Sequence, residues 1–228
     1  MKTSQIHTYK KNIKLKHHQK ILVDMILKSH KNNFGGKVLD IGCANGILIK
    51  ELKKKIIDSK FTGIDTSHDL IKIAKKNNIS DSKFLVKDFM KFNKKSYFDI
   101  VIAGGVLAFY DNFSLVLNQM IKLLKKRGSL YVIGTFNTEN VDTLVKFRNN
   151  YTGNKWEKGL NSFSISTISK YLKKKKIKFS FKKFQIPFSL KKQKNPIISH
   201  TLKTNNKDNI LINGANIRME IFYLLIKK

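Results

Sequence analysis

Five short apolar runs lie between residues 37 and 135; the first four lead to an acid or a glycine, and residues at helical spacing separate most of them. The run at 37–41 opens into Gly42-Cys43-Ala44-Asn45-Gly46, after which Leu48, Leu52 and Ile56 mark a helix over 47–57. A second strand at 61–64 ends at Asp65. Thr66 with Asp69 three residues on reads as a capping pair for a helix over Leu70, Ile71 and Ala74. A third strand at 83–86 leads to Asp88, and a fourth at 98–103 ends in Gly104-Gly105. Asp111 is placed to cap a helix through Phe113, Val116, Met120 and Leu124, which Arg127-Gly128 stops before a fifth strand at 129–135. Strand–helix alternation of this length predicts an α/β fold with parallel strands joined by right-handed crossovers. Ligands in such sheets bind at the carboxyl ends of the strands, where strand order reverses. That rule gathers Gly42–Gly46, Asp65, Asp88 and residues 104–110 around one crevice.

The flanks are less regular. Residues 1–33 carry an amphipathic helix marked by Ile21, Leu22, Met25 and Ile26. Beyond the fifth strand, 138–148 reads as helical, 149–161 as a polar stretch with the single tryptophan, Trp156, and Ser164 as the cap of a helix over 165–176. A strand follows at 177–188, a long polar connection at 190–216, and a final strand at 218–226. A connection of that length inside a compact domain is usually functional. No internal repeat and no Gly/Ser- or Pro-rich linker divides the sequence. One domain over 1–228 is therefore expected: a helical lid at 1–33, a core at 34–137, and a cap segment with the last helix and C-terminal strands at 138–228.

Val38-Leu39-Asp40-Ile41-Gly42-Cys43-Ala44-Asn45-Gly46 closely resembles the first motif of the class I S-adenosylmethionine-dependent methyltransferases of small-molecule type. The resemblance is clear over about residues 35–137 and weaker beyond. It implies a Rossmann-like, mostly parallel seven-stranded sheet with helices on both faces and an antiparallel last strand. It also implies S-adenosylmethionine as cofactor. The physical reason for the glycines is plain: the cofactor lies against a strand-to-helix turn where a side chain would collide, and Gly42 and Gly46 permit unusual dihedrals. The family pattern usually has glycine where this chain has Ala44. A dinucleotide-binding turn, G-x-G-x-x-G, is the alternative, but it needs glycine at 44 and 47, where Ala44 and Ile47 stand.

By the same resemblance, Asp40, Gly42, Cys43, Ala44 and Gly46 form the cofactor turn, and Asp65 with Thr66 receives the ribose hydroxyls. Asp88 with Phe89 receives the adenine, and Ala103 with Gly104 passes under the methionine portion. The bland alternatives are that Asp65 merely caps the next helix and that Asp88 is an ordinary turn aspartate. Tyr110 is a candidate to touch the acceptor. Direct methyl displacement needs positioning above all, and a base only for some acceptors. His200, in the long C-terminal connection, is the catalytic candidate among the histidines, with solvent exposure its bland alternative. His17 and His18 sit in the N-terminal segment that closes over the cofactor in relatives. No Asn-Pro-Pro-Tyr-like sequence follows the fourth strand, and no Pro-Cys pair is present; nucleobase-type methyltransferases use these.

The single cysteine, Cys43, excludes an internal disulfide and a cysteine-based zinc cage, and no metal-ligand spacing is visible. No apolar run reaches the roughly 20 residues that span a bilayer, and 1–20 lacks the apolar stretch of a secretory signal; the cytoplasm is the expected compartment. Lys+Arg number 46 against 15 Asp+Glu, a net charge of +31. This admits a nucleic-acid partner. Yet only Arg127, Arg148 and Arg218 are arginine, the residue suited to bidentate recognition. Abundant Lys, Asn and Ile also follow from A/T-rich codons. The leading expectation is methyl transfer to a small, anionic metabolite at oxygen or nitrogen, because Lys155, Lys158, Lys191, Lys192 and Lys194 lie in the cap. An RNA or protein methyltransferase is the alternative, with Tyr151 and Trp156 available for stacking. A binding protein that keeps the fold without catalysis is the third reading.

Overall fold

The computed structural model describes residues 14–30, 34–150, 153, 155–205, 208–215 and 217–228. The rest of the expected lid, 1–13 and 31–33, and Tyr151 lie outside the described residues. Helix α1 (His17–Ser29) precedes the first strand, as the apolar spacing predicts. Strand β1 (Lys37–Ile41), helix α2 (Ile47–Lys53), strand β2 (Lys60–Asp65), helix α3 (His68–Lys76), strand β3 (Ser82–Val86) and strand β4 (Phe98–Gly104) follow in alternation. Helix α4 (Phe113–Leu123) leads directly into the long strand β5 (Leu124–Asn137). Strands β6 (Lys146–Arg148), β7 (Trp156–Lys158) and β8 (Phe163–Ser164) come next, then helix α5 (Ile165–Lys174) and strand β9 (Lys178–Lys183). The chain closes with β10 (His200–Lys203), β11 (Asn209–Ile212), β12 (Arg218–Met219) and β13 (Ile221–Lys227).

The main sheet runs β3-β2-β1-β4-β5-β13-β9, with short β8 added beside β5. Strands β1 to β5 are parallel, and β13 is antiparallel to both β5 and β9. The expected α/β, Rossmann-like sheet with helices on both faces and an antiparallel last strand is therefore present. Strand order reverses between β1 and β4, and that switch point places the crevice at their carboxyl ends.

Both faces of the sheet are buried because side chains alternate along each strand. Val38, Ile100, Ile102, Tyr131 and Ile133 face one cluster, which α1, α2 and α3 cover with Leu22, Ile26, Leu48, Leu52 and Ile71. Leu39, Ile41, Val101, Leu130 and Val132 face the other, covered by Val116 and Met120 of α4 and Ile168 and Leu172 of α5. Each fully buried Leu or Ile contributes about 1.5–3 kcal/mol relative to exposure, so the sheet is the thermodynamic centre of the molecule.

Several local expectations need correction. Ser67, not Thr66, caps α3; its hydroxyl accepts from Leu70 N at 3.4 Å. Asn112, not Asp111, caps α4, its Oδ1 accepting from Ser114 N and Leu115 N, both at 3.1 Å. Residues 138–148 form no helix; they run as loop and then as β6, which pairs with β7 in a hairpin. The connection 190–216 is not structureless, because β10 and β11 lie within it and join β12 in a small antiparallel sheet. The final strand is broken at Glu220 into β12 and β13.

Candidate active site

The carboxyl end of β1 turns through residues 42–46 into α2. Gly42 and Gly46 hold φ of +72° and +76°, the left-handed region that L side chains resist. A Cβ on Gly42 would stand 2.9 Å from Val106 Cγ2, and one on Gly46 2.9 Å from the Phe84 ring. Ala44 between them is also left-handed, at φ 49°. Its N–H donates to Asp65 Oδ2 at 3.0 Å, and Asp65 Oδ1 accepts from Ser67 N at 2.9 Å. Gly42 N and Cys43 N both donate to the Ile64 carbonyl, at 2.8 and 3.1 Å. The end of β2 therefore positions the turn after β1.

Beside this turn lies a cavity of about 200 Å³. Asp40, Gly42, Cys43, Ala44 and Asn45 border it from the turn, Gly104, Gly105 and Ala108 from the end of β4, and Ile133, Gly134 and Thr135 from β5. Helix α1 closes it with Lys16, His18, Gln19 and Leu22, and Leu160 reaches it from the cap. A Cβ on Gly104 or Gly105 would meet nothing within 4 Å, so the absent side chains leave the space beyond β4 open. Asp40 is 3% exposed. Burial, and then the neighbouring Asp65, push its pKa up to about 8. Burial likewise raises the Cys43 thiol, with Asp40 and Asp65 adding to it; this sulfur is no activated nucleophile.

The other sequence candidates are distributed around this cavity. Gly46 shapes the turn, and Ala103 is buried in the sheet core beneath it. Thr66 is exposed after β2. Asp88 Oδ1 accepts from Met90 N at 3.0 Å and starts a single 3₁₀ turn. Phe89 is buried and meets Tyr110 edge-on at 5.5 Å between ring centroids. Burial and then Asp88 raise the Tyr110 pKa, which keeps its hydroxyl protonated.

His200 does not border the cavity. It is buried at the start of β10, and its Nδ1 has no hydrogen-bond partner among the described residues. His18 borders the cavity instead. Its pKa falls to about 4, through burial first and the charges of Lys16 and His17 next, so the imidazole is neutral at pH 7. The Tyr223 hydroxyl donates to the His18 carbonyl at 2.9 Å, and the His18 ring meets Phe184 edge-on at 5.9 Å. These contacts fix the first turn of α1 against β13.

Sequence reasoning missed Asn161, which is 2% exposed. Its Oδ1 accepts from Val145 N at 2.9 Å, while its Nδ2 donates to Tyr110 O and to Asp111 Oδ1, both at 3.1 Å. One side chain therefore ties the loop after β4 to the cap. Asp111 also pairs with Lys158 at 2.8 Å, and the hydrogen bonds from Lys158 and Asn161 hold its carboxyl below the usual range. Lys158 is thus engaged rather than free for an acceptor. No signal in the sequence marks Asn161 out from the other asparagines. Among the described residues, no group of three or more His, Cys, Asp or Glu is arranged to hold a metal ion.

The sequence matches a family described as a methyltransferase domain over residues 32–197. It is 27% identical over 150 residues to a malonyl-[acyl-carrier protein] O-methyltransferase of Priestia megaterium, covering 64% of this chain and 53% of that protein. It is 31% identical over 117 residues to a demethylmenaquinone methyltransferase of Thermotoga maritima, covering 50% of this chain and 48% of that protein. The chain spans about half the length of these curated relatives. Among solved structures, the Bacillus subtilis YcgJ protein superimposes with a TM-score of 0.63 at 11% identity, over 93% of this chain and 99% of that one. The Burkholderia thailandensis 1,6-didemethyltoxoflavin-N1-methyltransferase, bound to 1,6-didemethyltoxoflavin and S-adenosylhomocysteine, also gives 0.63 at 11% identity, over 99% and 84%. At such identities the structural likeness speaks for the fold.

Proposed function

The chain belongs to the class I S-adenosylmethionine-dependent methyltransferases, and from that premise we propose that it transfers a methyl group to a small, anionic metabolite at oxygen or nitrogen. The observation that carries this reading is the cavity shared by the cofactor turn, the end of β4 and α1. Its volume of about 200 Å³ has room for the methionine end of the cofactor and a small reacting group beside it. The fit of the cofactor rests on the same residues. A buried acid held neutral at the cavity border, Asp40, is the group whose charge an incoming ammonium would restore. Gly42 and Gly104 leave the backbone open to close approach.

Cys43 and Ala44 complete the surface under the methionine portion, with Gly46 shaping the turn and Ala103 packed behind it. Asp65 and Thr66 hold the ribose, and Asp88 with Phe89 holds the adenine. When bound, the cofactor supplies a methyl group activated on a sulfonium. The protein aligns the acceptor with it, which is where most of the rate gain of such a displacement arises. Lys16 at the cavity border favours an anionic acceptor. His18 borders the cavity and, neutral at pH 7, can accept a hydrogen bond from an oxygen nucleophile, while Tyr110 acts as a hydrogen-bond donor. His200 is the weaker candidate, since it stands away from the cavity. In this reading α1 covers the cofactor and residues 138–228 supply the acceptor side, all within one domain.

An RNA or protein acceptor has one observation in its favour. Trp156 is 69% exposed, with the Arg148 guanidinium 5.7 Å from its ring centroid, a pairing suited to a base or a peptide side chain. Calorimetry with S-adenosylhomocysteine and NAD tests the cofactor; heat from the former alone is expected. Transfer of labelled methyl groups to metabolite, RNA and protein fractions then tests the acceptor. Label confined to RNA or protein would overturn the small-molecule reading.

A further inference from the structure

The strand register places a row of cations along the edge of the sheet opposite the cavity. Lys37 pairs with Lys60 where β1 and β2 begin, and Lys83 opens β3 beside them. Ile100 of β4 pairs with Ser129 of β5, which leaves Lys126 and Arg127 at the same edge. Ser129 pairs in turn with Lys227 of β13, and Lys227 with Lys178 of β9. The row crosses all seven strands of the main path, a span of about 29 Å at the usual strand spacing. Lys60, Lys83, Lys126, Arg127, Lys178 and Lys227 are exposed along it. Helix α5 descends to this edge and ends in the exposed lysines 173–176.

Carboxylates lie at both ends of the strands. Asp40 and Asp65 end β1 and β2, and Asp88 and Asp111 follow β3 and β4, all at the cavity end of the sheet. The segments entering β2 and β3, and the start of β4, contribute Asp58, Asp81 and Asp99, and two of these are consumed internally. Asp81 pairs with Lys53 at 2.9 Å and Asp99 with Lys125 at 2.8 Å. The row's seven cations face these three carboxylates, two of them already paired to Lys53 and Lys125, so the edge keeps a net positive charge.

We infer that this edge is a docking face for an anionic lipid surface, which holds the chain with its cavity turned away from the bilayer. The cations of the row are lysines with one arginine, suited to diffuse attraction by headgroup phosphates rather than to bidentate readout. Tyr97, the exposed aromatic of this edge, has Lys37 Nζ 4.0 Å from its ring centroid and Lys94 Nζ 5.1 Å away. Its ring is occupied by cations and offers no stacking platform for a base. Ile57, 62% exposed in the segment entering β2, supplies an apolar side chain at the headgroup level. Among the described residues no helix is long and apolar enough to cross a membrane, so attachment would be peripheral. The inference is independent of the acceptor proposed above.

The test is flotation of the full chain with vesicles of phosphatidylglycerol and phosphatidylcholine in a 3:7 ratio, against phosphatidylcholine alone, at about 0.05 M and about 0.3 M salt. Binding only to the anionic vesicles, lost at the higher salt, is expected because the Debye length then falls below about 6 Å. The triple variant Lys60→Glu, Lys126→Glu and Lys178→Glu should lower the partition coefficient about tenfold or more at low salt. The control, Lys155→Glu, Lys191→Glu and Lys192→Glu, makes the same change in net charge at the cap and should retain most of the binding. S-adenosylhomocysteine affinity, unchanged in both variants, certifies the fold. Equal losses in the two triple variants would overturn the inference in favour of net charge alone. Tight binding of a single-stranded RNA probe that the edge variant abolishes, without vesicle binding, would overturn it in favour of nucleic acid.

Discussion

Between residues 37 and 137 the starts of α3, α4 and the 3₁₀ turn at Phe89 are capped by near neighbours, whereas between 138 and 220 polar side chains staple loops to partners farther along the chain. In the first region Ser67 caps α3 through Leu70, Asn112 caps α4 through Ser114 and Leu115, and Asp88 caps its own 3₁₀ turn. In the second, Asp142 accepts from Ser164 N at 2.7 Å, Asn149 donates to Asn195 at 3.0 Å, and Asn209 donates to the Ile186 carbonyl at 3.1 Å. The first region is a scaffold that any acceptor specificity can share. The second is held by a few polar staples, which lets its shape change without disturbing the sheet. That division matches a site in which one side holds a constant cofactor and the other a particular acceptor.

The largest effect is expected at the scaffold. Gly42→Val places a branched side chain at φ +72° and 2.9 Å from Val106. S-adenosylhomocysteine affinity should fall at least about 100-fold, read by calorimetry on protein whose circular dichroism is unchanged. Affinity within a few-fold of the parent would remove the turn from the cofactor site and dissolve the division of labour.

Asn161→Ala probes the other side. It leaves Val145 N and Tyr110 O without their partners in a buried position, at about 1–3 kcal/mol for each orphaned group. Denaturant unfolding should show a loss of about 2–4 kcal/mol, with cofactor affinity nearly kept. A collapse of cofactor binding alongside the stability loss would show that the two regions are not separable.

These contrasts also explain what was legible in the sequence. The order of β1 to β5 was readable because apolar runs and their terminal acids are local signals. The turn at Asp40–Gly46 was readable because only small residues tolerate its dihedrals. The helix assigned to 138–148 failed because its apolar residues, Val141, Leu144 and Val145, mimic helical spacing. In the structure Val145 instead packs on Gly159 and donates to Asn161 across 16 residues. The strands inside 190–216 were hidden for the same reason, since their pairing partners lie in each other rather than in a local repeat. His18 was legible as a helix residue but not as a cavity residue, because its placement depends on Tyr223, 205 positions away.

Asp40 offers a pH-dependent test of the scaffold. Its folded pKa of about 8 lies above the ordinary value of 3.8. The folded protein then binds more protons than the unfolded chain between those limits. Asp40 therefore contributes stability at low pH that is lost as pH rises through that window, at most about 1.4 kcal/mol per pH unit. Asp40→Asn mimics the neutral form and should flatten the slope between pH 5 and pH 7.5 in urea unfolding. A slope identical to the parent's would mean that Asp40 is charged throughout.

The smallest effects compare one strained residue from each region. Ala44 at φ 49° and Lys176 at φ 56° both occupy left-handed backbone. Glycine at either position relieves about 1–2 kcal/mol of steric cost and gives back about 0.5–1 kcal/mol through the freer unfolded chain. Lys176 is exposed just after α5, where its N–H donates to the Lys173 carbonyl at 2.9 Å. Nothing but backbone is changed there, and Lys176→Gly should gain up to about 1 kcal/mol. Ala44 is only 6% exposed and borders the cavity. Its methyl group therefore packs as well as strains, and Ala44→Gly should shift stability by less than Lys176→Gly does. The pair is read as a difference in urea midpoint at constant slope. A gain at Ala44 exceeding that at Lys176 would mean that the cofactor turn stores strain in the free protein. The turn would then be held against its strain by its hydrogen bonds to Asp65 and Ile64, and the scaffold would be the less rigid of the two regions.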